Sequence, residues 1–358
     1  MAKRALLIAN VNLADDNNAG IAIKIKGQAR GLQAYGYSVD IINNSGNKIV
    51  LNETPLREIK EHSIQKKMTW FNHLKDIDHQ EYDLVWLRHQ VSTASMAAYL
   101  KRAKKENPQI KIVMDMPTYP YDQEWSGLRG YIVQIMDRHY RSQLNHVVDL
   151  MAHSGPEQTI FGIPTVPMTN GIDIDHFEES APENSSHTHV LAIGKWRYWH
   201  GLDRILAGWD EHAEASLHIV GGGAYLPKLK AMCSERKLSK VFFYGPLSGS
   251  PLDTLAQRCH VAIGTLGIHR KGVAINSSLK HREYCSRGIP FIYSSADPDF
   301  KNCTFAMEVP ADDEAVPLSK LVAFDQMCRD QNLRKQMRSY AEDKLSWRQK
   351  ISQVLAAI

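Results

Sequence analysis

The chain has 358 residues, 43% of them hydrophobic and 23% charged, and a formal net charge of +4. That length exceeds what one ordinary core supports, so two globular domains without long disorder are expected. So small a charge excess argues against a nucleic-acid partner, and no window approaches the roughly 20 apolar residues of a membrane span.

Cys233, Cys259, Cys285, Cys303 and Cys328 are scattered with no C-x-x-C, which fits a reducing, cytoplasmic setting and neither a disulfide framework nor a zinc site. The opening MAKRALLIAN reads as a first strand rather than a signal peptide, because its apolar run is short. From there apolar runs alternate with helical patterns, the signature of parallel α/β sheets. In the first half, strands are expected at RALLIANV, SVDIINN, YDLVWLR, IKIVMDM, VDLMAHS and TVPMTN.

After the first strand, ADDNNAGIAIKIK is a polar loop closing with Gly20 before a helix, and the amides of a helix start suit an anion or hydroxyl. A plain N-cap at Asn17 or Asn18 accounts for the same residues. In that helix Ile21, Ile25, Ala29 and Leu32 share a face, and Gly36 can stop it. Lys24, Lys26 and Arg30, with Lys101, Arg102, Lys104 and Lys105, read as solvated helix faces, an anionic lipid surface being the alternative.

EESAPENSSHTH reads as a loop or linker, after which strands resume at HVLAIG, ASLHIVGG, KVFFYG, HVAIGTL, PFIYSS and FAMEVP. The tail from Asn332 to Ile358 reads as helical. The expected architecture is α/β, two Rossmann-like domains joined near residues 171–188, with ligands at the carboxyl ends of the strands in a cleft between the sheets.

Three segments of the second half could carry chemistry. In AIGKWRYWHGLDRIL, Lys195, Arg197 and His200 lie between Gly194 and Gly201 at a strand end, where a phosphate would want a cation, a solvated loop with Trp196 and Trp199 tucked onto the domain being the alternative. LHIVGGGAYLPKL lacks the G-x-G-x-x-G spacing, because Ala224, Tyr225 and Leu226 follow Gly223, so a dinucleotide is not expected. The richest segment is GIHRKGVAINSSLKHREYCSRGIPFI. Ser277 or Ser278 can cap a helix that ends at Gly288, with Lys280, Glu283 and Arg287 on one face. A cation in a first turn opposes the helix dipole, and Lys280 becomes well placed only with an anion between. That is the case for a diphosphate near Ser277, Ser278, Leu279 and Lys280. Glu283, one turn deeper, could accept from both hydroxyls of a ribose, while an intrahelical Glu283–Arg287 pair is the competing reading.

On these residues the chain resembles the GT-B glycosyltransferases of family 4, which are retaining and use nucleotide-diphosphate sugars. The likeness covers most of the length and shows in the loop at Gly20, TVPMTNGIDIDHF, the loop Gly194–Gly201, LHIVGGG, VFFYGPLS, SLKHREYCSRGIPFI and Ser346–Trp347. NGIDIDHF and the stretch from Glu283 to Pro290 are the specific items among these. The resemblance implies an acceptor-side domain over 1–170, a linker over 171–188, a nucleotide-sugar domain over 189–340 and a returning helix over 341–358. It also implies that Glu283 binds ribose, that Lys195 contacts the diphosphate, and that Ser277, Ser278 and Leu279 offer amides to the donor. Gly20 would reach the donor from the acceptor side.

The chain departs from the family pattern at three points. Ile275 stands at the first glutamate of the paired motif, and His200 stands where lysine is common. No histidine occurs in the stretch Pro117–Glu124 after IKIVMDM. Arg270 and Lys271, with Lys280, are therefore candidate replacement phosphate contacts, and Thr118, Tyr121, Asp122 and Glu124 are candidates on the acceptor or sugar side.

The expected reaction is retaining transfer from a nucleotide-diphosphate sugar, UDP- or GDP-linked, to a saccharide or lipid-linked saccharide. Lys195, Lys280 and Arg270 would stabilise the departing charge without a metal or cofactor, Asp15–Asp16 and the Asp297–Asp299 run reading as turns. By resemblance the setting is bacterial surface-polysaccharide assembly, cytoplasmic or peripheral at the inner face of the membrane. A nucleotide-sugar epimerase or hydrolase, and a degenerate binding subunit, are the alternatives.

Overall fold

The computed structural model describes residues 2–59, 68–122, 127–182, 185–329 and 331–358. It divides into one compact unit of Met1–Thr169 with Trp347–Ile358, and a second of Asn170–Ser346. Among the described residues no helix is long and apolar enough to cross a membrane.

In the first unit the chain runs β1 (Lys3–Asn12), α1 (Ala19–Gln33), β2 (Tyr37–Ser45), β3 (Lys48–Leu51), β4 (Thr54–Glu58), β5 (Leu84–Arg88), α2 (Ala94–Glu106), β6 (Lys111–Met116), α3 (Gly127–Arg141), β7 (Leu150–His153), β8 (Thr159–Ile160) and β9 (Ile163–Pro167). The sheet order is β4-β3-β2-β1-β5-β6-β7-β9-β8. It is parallel from β2 through β9 and antiparallel at both margins. The unbroken apolar run Ala5–Ala9 explains the centre, since both faces of β1 are covered and all five residues are buried. The β3–β4 hairpin extends the sheet beyond the strands expected above. Its turn holds Asn52 and Glu53 at φ 49° and 67°, left-handed conformations without a glycine to advertise them.

The second unit runs β10 (Thr188–Ile193), α4 (Leu202–Ala207), β11 (Ala215–Val220), α5 (Leu226–Glu235), β12 (Val241–Gly245), α6 (Ser250–Gln257), β13 (Val261–Ile263), α7 (Leu279–Ser286), β14 (Phe291–Ser294), β15 (Ala306–Val309), α8 (Leu318–Met327) and α9 (Gln331–Tyr340). All its strands pair in parallel, in the order β12-β11-β10-β13-β14-β15, a doubly wound sheet. The stretch 171–188 is part of this unit rather than a separate tether. Ile172 and Ile174 are buried in its core, and the Ile172 amide donates to the Leu345 carbonyl at 2.8 Å.

The tail is not one helix. A π-helical turn, Ala341–Leu345, ends at Ser346, which is extended, and α10 (Trp347–Leu355) then starts. The return to the first unit is therefore drawn at Trp347, not at residue 341. Trp347 is buried against α1, where a Cβ on Gly27 would lie 1.9 Å from its Nε1, so only glycine admits the ring.

Candidate functional site

In a doubly wound sheet the loops diverge where the strand order reverses, and that opening lies at the carboxyl ends of the two central strands. In the second unit these strands are β10 and β13. The loop after β10 is clamped onto the loop after β11. Gly194 N donates to the Val220 carbonyl at 3.1 Å, and Trp196 N donates to the Gly222 carbonyl at 2.6 Å. Gly221 sits at φ +107°, and a Cβ there would come within 1.9 Å of the Gly194 carbonyl oxygen. Gly221 and Gly223 of LHIVGGG thus serve a close backbone approach. On the other side, Leu266 N donates to the His200 carbonyl at 2.9 Å and ties in the loop after β13.

Into this corner points Lys280, in the first turn of α7. Its ammonium lies 5.0 Å from the centroid of the buried Trp196 ring. It is shut off from solvent and has no hydrogen-bond partner among the described residues. Burial pushes its pKa down to about 8, against the opposing pull of Glu283. Beside it, His200 Nδ1 is likewise buried without a partner among the described residues. Burial first, then the charges of Lys280 and Arg197, push His200 down to about 2, so the imidazole is neutral and adds no repulsion. Lys195 is exposed on the same loop.

Ser278 occupies the N-cap position of α7, but its side chain makes no capping bond. Ser277 instead turns to Asn170, accepting its backbone amide on Oγ at 2.7 Å and its side-chain amide on the carbonyl at 2.5 Å. Neither serine side chain thus caps the first-turn amides of α7, although His281 N donates to the Ser278 carbonyl at 3.2 Å. One turn on, the intrahelical pair does form. Arg287 Nε donates to Glu283 Oε1 at 3.0 Å and Arg287 Nη1 to Asp253 at 2.6 Å. The other Glu283 oxygen carries no hydrogen bond among the described residues. Burial raises the Glu283 pKa against the pull of Arg287.

The remaining charges of SLKHREYCSRG face elsewhere. Arg282, fully buried, donates to Asp297 Oδ1 at 2.8 Å, to Asp299 and to the Asn170 carbonyl at 3.0 Å. His281 Nδ1 meets Asp297 at 2.9 Å. Burial works against ionisation of Asp297, but Arg282 and His281 outweigh it and hold the carboxyl well below its ordinary range. The Asp297–Asp299 run does turn, Phe300 N donating to the Asp297 carbonyl at 3.0 Å, and its carboxylates also supply a counter-charge, that of Asp297 fully buried. Its partners lie some fifteen positions upstream, and no sequence pattern announced them.

Arg270 is corrected as a phosphate contact. Its guanidinium grips both Asp203 oxygens at 2.9 and 2.8 Å, Asp313 at 2.6 Å and the Tyr198 carbonyl at 2.5 Å, so its charge is neutralised and it braces the β10 loop. Lys271 lies over Trp199, 5.1 Å from the ring centroid.

In the first unit, Thr118 and Tyr121 line a cavity of about 470 Å³ together with Asn18 and Ile21 from the start of α1. Tyr121 is spoken for, its hydroxyl donating to Asp137 at 2.7 Å. Asp122 turns away to Arg141 at 2.8 Å, and Glu124 lies outside the described residues. Gly20 is exposed in the first turn of α1, and Asn18 at its N-cap makes no side-chain capping bond. The basic residues noted in the sequence do not form one patch. Lys24 faces inward to Asp115 at 3.1 Å, and Lys104 bonds Asp149 at 2.7 Å. Arg102 covers the Leu74 carbonyl at 2.8 Å. Lys26 and Lys105 remain exposed.

No family model and no curated protein sequence matches the chain. Solved structures do, over nearly its whole length. Sucrose-phosphate synthase from Thermosynechococcus elongatus aligns at 14% identity and TM-score 0.67, over 99% of this chain and 100% of that one. A glycosyltransferase from Rickettsia africae aligns at 13% identity and TM-score 0.68, over 99% and 97%. Anabaena HepE in complex with UDP-glucose aligns at 12% identity and TM-score 0.61, over 99% and 100%. The fold is GT-B. Within it, the second unit brings together Lys280, His200, the Lys195 loop and the uncapped start of α7 at one strand crossover, with Glu283 one turn behind. Arg270 serves as a brace there, and Asp122 is engaged by an arginine of its own unit.

Proposed function

We propose that this GT-B protein is a glycosyltransferase that takes its sugar from a nucleotide diphosphate, the second unit holding the donor. The observation that carries the proposal is the Lys280 ammonium, buried in a first helical turn without a hydrogen bond among the described residues, where the dipole also opposes it. A lone buried cation is unfavourable unless an anion joins it. A diphosphate at the start of α7 would meet Lys280, the exposed Lys195 and the uncapped amides together. The open Glu283 oxygen lies deeper and suits a ribose hydroxyl. HepE, similar in fold, has been crystallised with UDP-glucose, which agrees with this reading.

In the reaction, the bond from the anomeric carbon to the diphosphate oxygen breaks, and an acceptor hydroxyl oxygen bonds that carbon. Its proton leaves on the departing phosphate. Charge grows on the diphosphate as the bond stretches, and preorganised donors aimed at it lower the barrier. With Lys280, Lys195 and the amides supplying that charge, the proposed route is metal-independent. Retention by attack on the leaving-group face is the stereochemistry that the family resemblance implies.

The experiment is calorimetric titration of wild type and Lys280→Met with UDP and GDP, beside a melting curve of each. Loss of at least about tenfold in affinity without a lower melting temperature is expected, since a buried lone charge is replaced by an apolar chain of similar length. Unchanged binding in the variant would overturn the assignment.

A further inference from the structure

We infer that the cavity in the first unit receives an anionic saccharide, one carrying a carboxylate or phosphate, and that Arg88 grips the anion. The inference rests on the proposed transfer reaction only in making that saccharide the acceptor. The cavity opens at the carboxyl ends of β1, β5 and β6, the crossover of this sheet, and is lined by Asn10, Asn12, Arg88, Gln90, Thr118 and Tyr121 among others.

Its chemistry is one-sided. Beneath it, Asp115 is buried and accepts from Lys24 at 3.1 Å, Gln28 at 3.2 Å and Arg88 at 3.4 Å. Two cations on one carboxylate leave a net positive charge. The Arg88 contact is long and engages one nitrogen. The rest of its guanidinium carries no hydrogen bond among the described residues, although the side chain is only 11% exposed.

Among the described residues, no acidic side chain lines the cavity. Asp137, behind Tyr121, is saturated by Ser92 N at 2.6 Å, Tyr121 at 2.7 Å and Arg141 at 3.3 Å. His89 is buried against Ser92 at 3.0 Å and brings no competing charge. A neutral sugar would satisfy the amides of Asn10, Asn12 and Gln90 but leave the Arg88 fork desolvated and unpaired. A carboxylate or phosphate takes two parallel N–H bonds from such a fork, and these charge-assisted bonds are the stronger kind.

The test uses the full chain, wild type, Arg88→Gln and Arg88→Lys, titrated by calorimetry with D-glucuronate, D-glucose 6-phosphate and D-glucose, and separately with UDP. Wild type is expected to prefer the charged sugars over glucose by about tenfold or more. Arg88→Gln should erase that preference, and Arg88→Lys, which keeps a cation on Asp115, should retain part of it. UDP affinity should stay the same in all three proteins. Equal binding of glucose, no binding of any sugar to wild type, or a preference that survives Arg88→Gln overturns the inference. So does a matching loss of UDP affinity in Arg88→Gln, which would assign the arginine to the donor's phosphates. Absence of UDP binding in every protein, with the sugar preference intact, would instead remove the donor reading and leave the anion site standing.

Discussion

The crossover between β10 and β13 and the crossover between β1 and β5 occupy equivalent places in their sheets, yet they are built from different materials. The first is locked. Glycine contacts clamp its loops, Trp196 walls it, Arg270 braces it through Asp203 and Asp313, and the Lys280 ammonium, without a hydrogen bond among the described residues, is sealed from solvent. The second is open and rimmed by amides, and its charge comes from an arginine that shares a buried carboxylate with a lysine. A locked corner suits a ligand part that never varies, such as a diphosphate. An amide rim suits hydroxyls whose positions differ from sugar to sugar. One topology can therefore hold a constant group in one unit and a variable one in the other, through side chains alone.

That contrast can be tested by substitution on both sides. The largest effect is expected on the locked side, from Asp297→Ala. It removes the acid of His281 and leaves Arg282 with Asp299 alone, and should cost about 3–5 kcal/mol in chemical denaturation. Because the Asp297 pKa is depressed in the fold, wild type holds this stability above roughly pH 4 and loses it as pH falls further, a dependence that the variant lacks.

Next comes Lys280→Ala, expected to lower kcat/KM by about 10²–10³ with the fold retained, as for other donors aimed at developing charge. Smaller is a pH effect on donor binding. Lys280 is half-deprotonated near pH 8 in the unliganded protein, and a bound diphosphate would favour its protonated form. Affinity should be level below pH 8 and fall above it, by up to about tenfold per unit. A flat profile to pH 10 would detach Lys280 from the donor.

Glu283→Gln should reduce the preference for UDP over its 2′-deoxy analogue by about tenfold, the scale of one charge-assisted hydrogen bond. Least of all, Gln90→Ala in the amide rim should change saccharide affinity by about threefold and donor affinity not at all, the scale of one neutral hydrogen bond. A large loss there would mean that the rim is as exacting toward its ligand as the locked corner.

The strands of both sheets were readable because Ala5–Ala9 and Leu84–Leu87 are apolar on both faces, which only a covered parallel strand tolerates, and because Ala215, Leu217 and Ile219 alternate with Ser216 and His218 at the period of a strand. The β3–β4 hairpin escaped because Asn52-Glu53 is not a turn pair that sequence advertises. In the site, the Lys280 anomaly was legible from helix electrostatics alone. Its basic neighbours were not, because what decides the role of Arg270 or Arg282 is an acid brought in by the fold: Asp203 and Asp313 for one, Asp297 and Asp299 for the other. Arg88 is hidden for the same reason, since it reads as the polar end of an apolar strand until Asp115 and the cavity are seen beside it.

The seat of α10 on α1 also shapes how the molecule comes into being. Residues 1–169 emerge from the ribosome long before Trp347, so the groove at Gly27 must wait, uncovered, while the whole second unit is synthesised. The first unit should therefore be the later of the two to reach protease resistance on the nascent chain, although it is translated first.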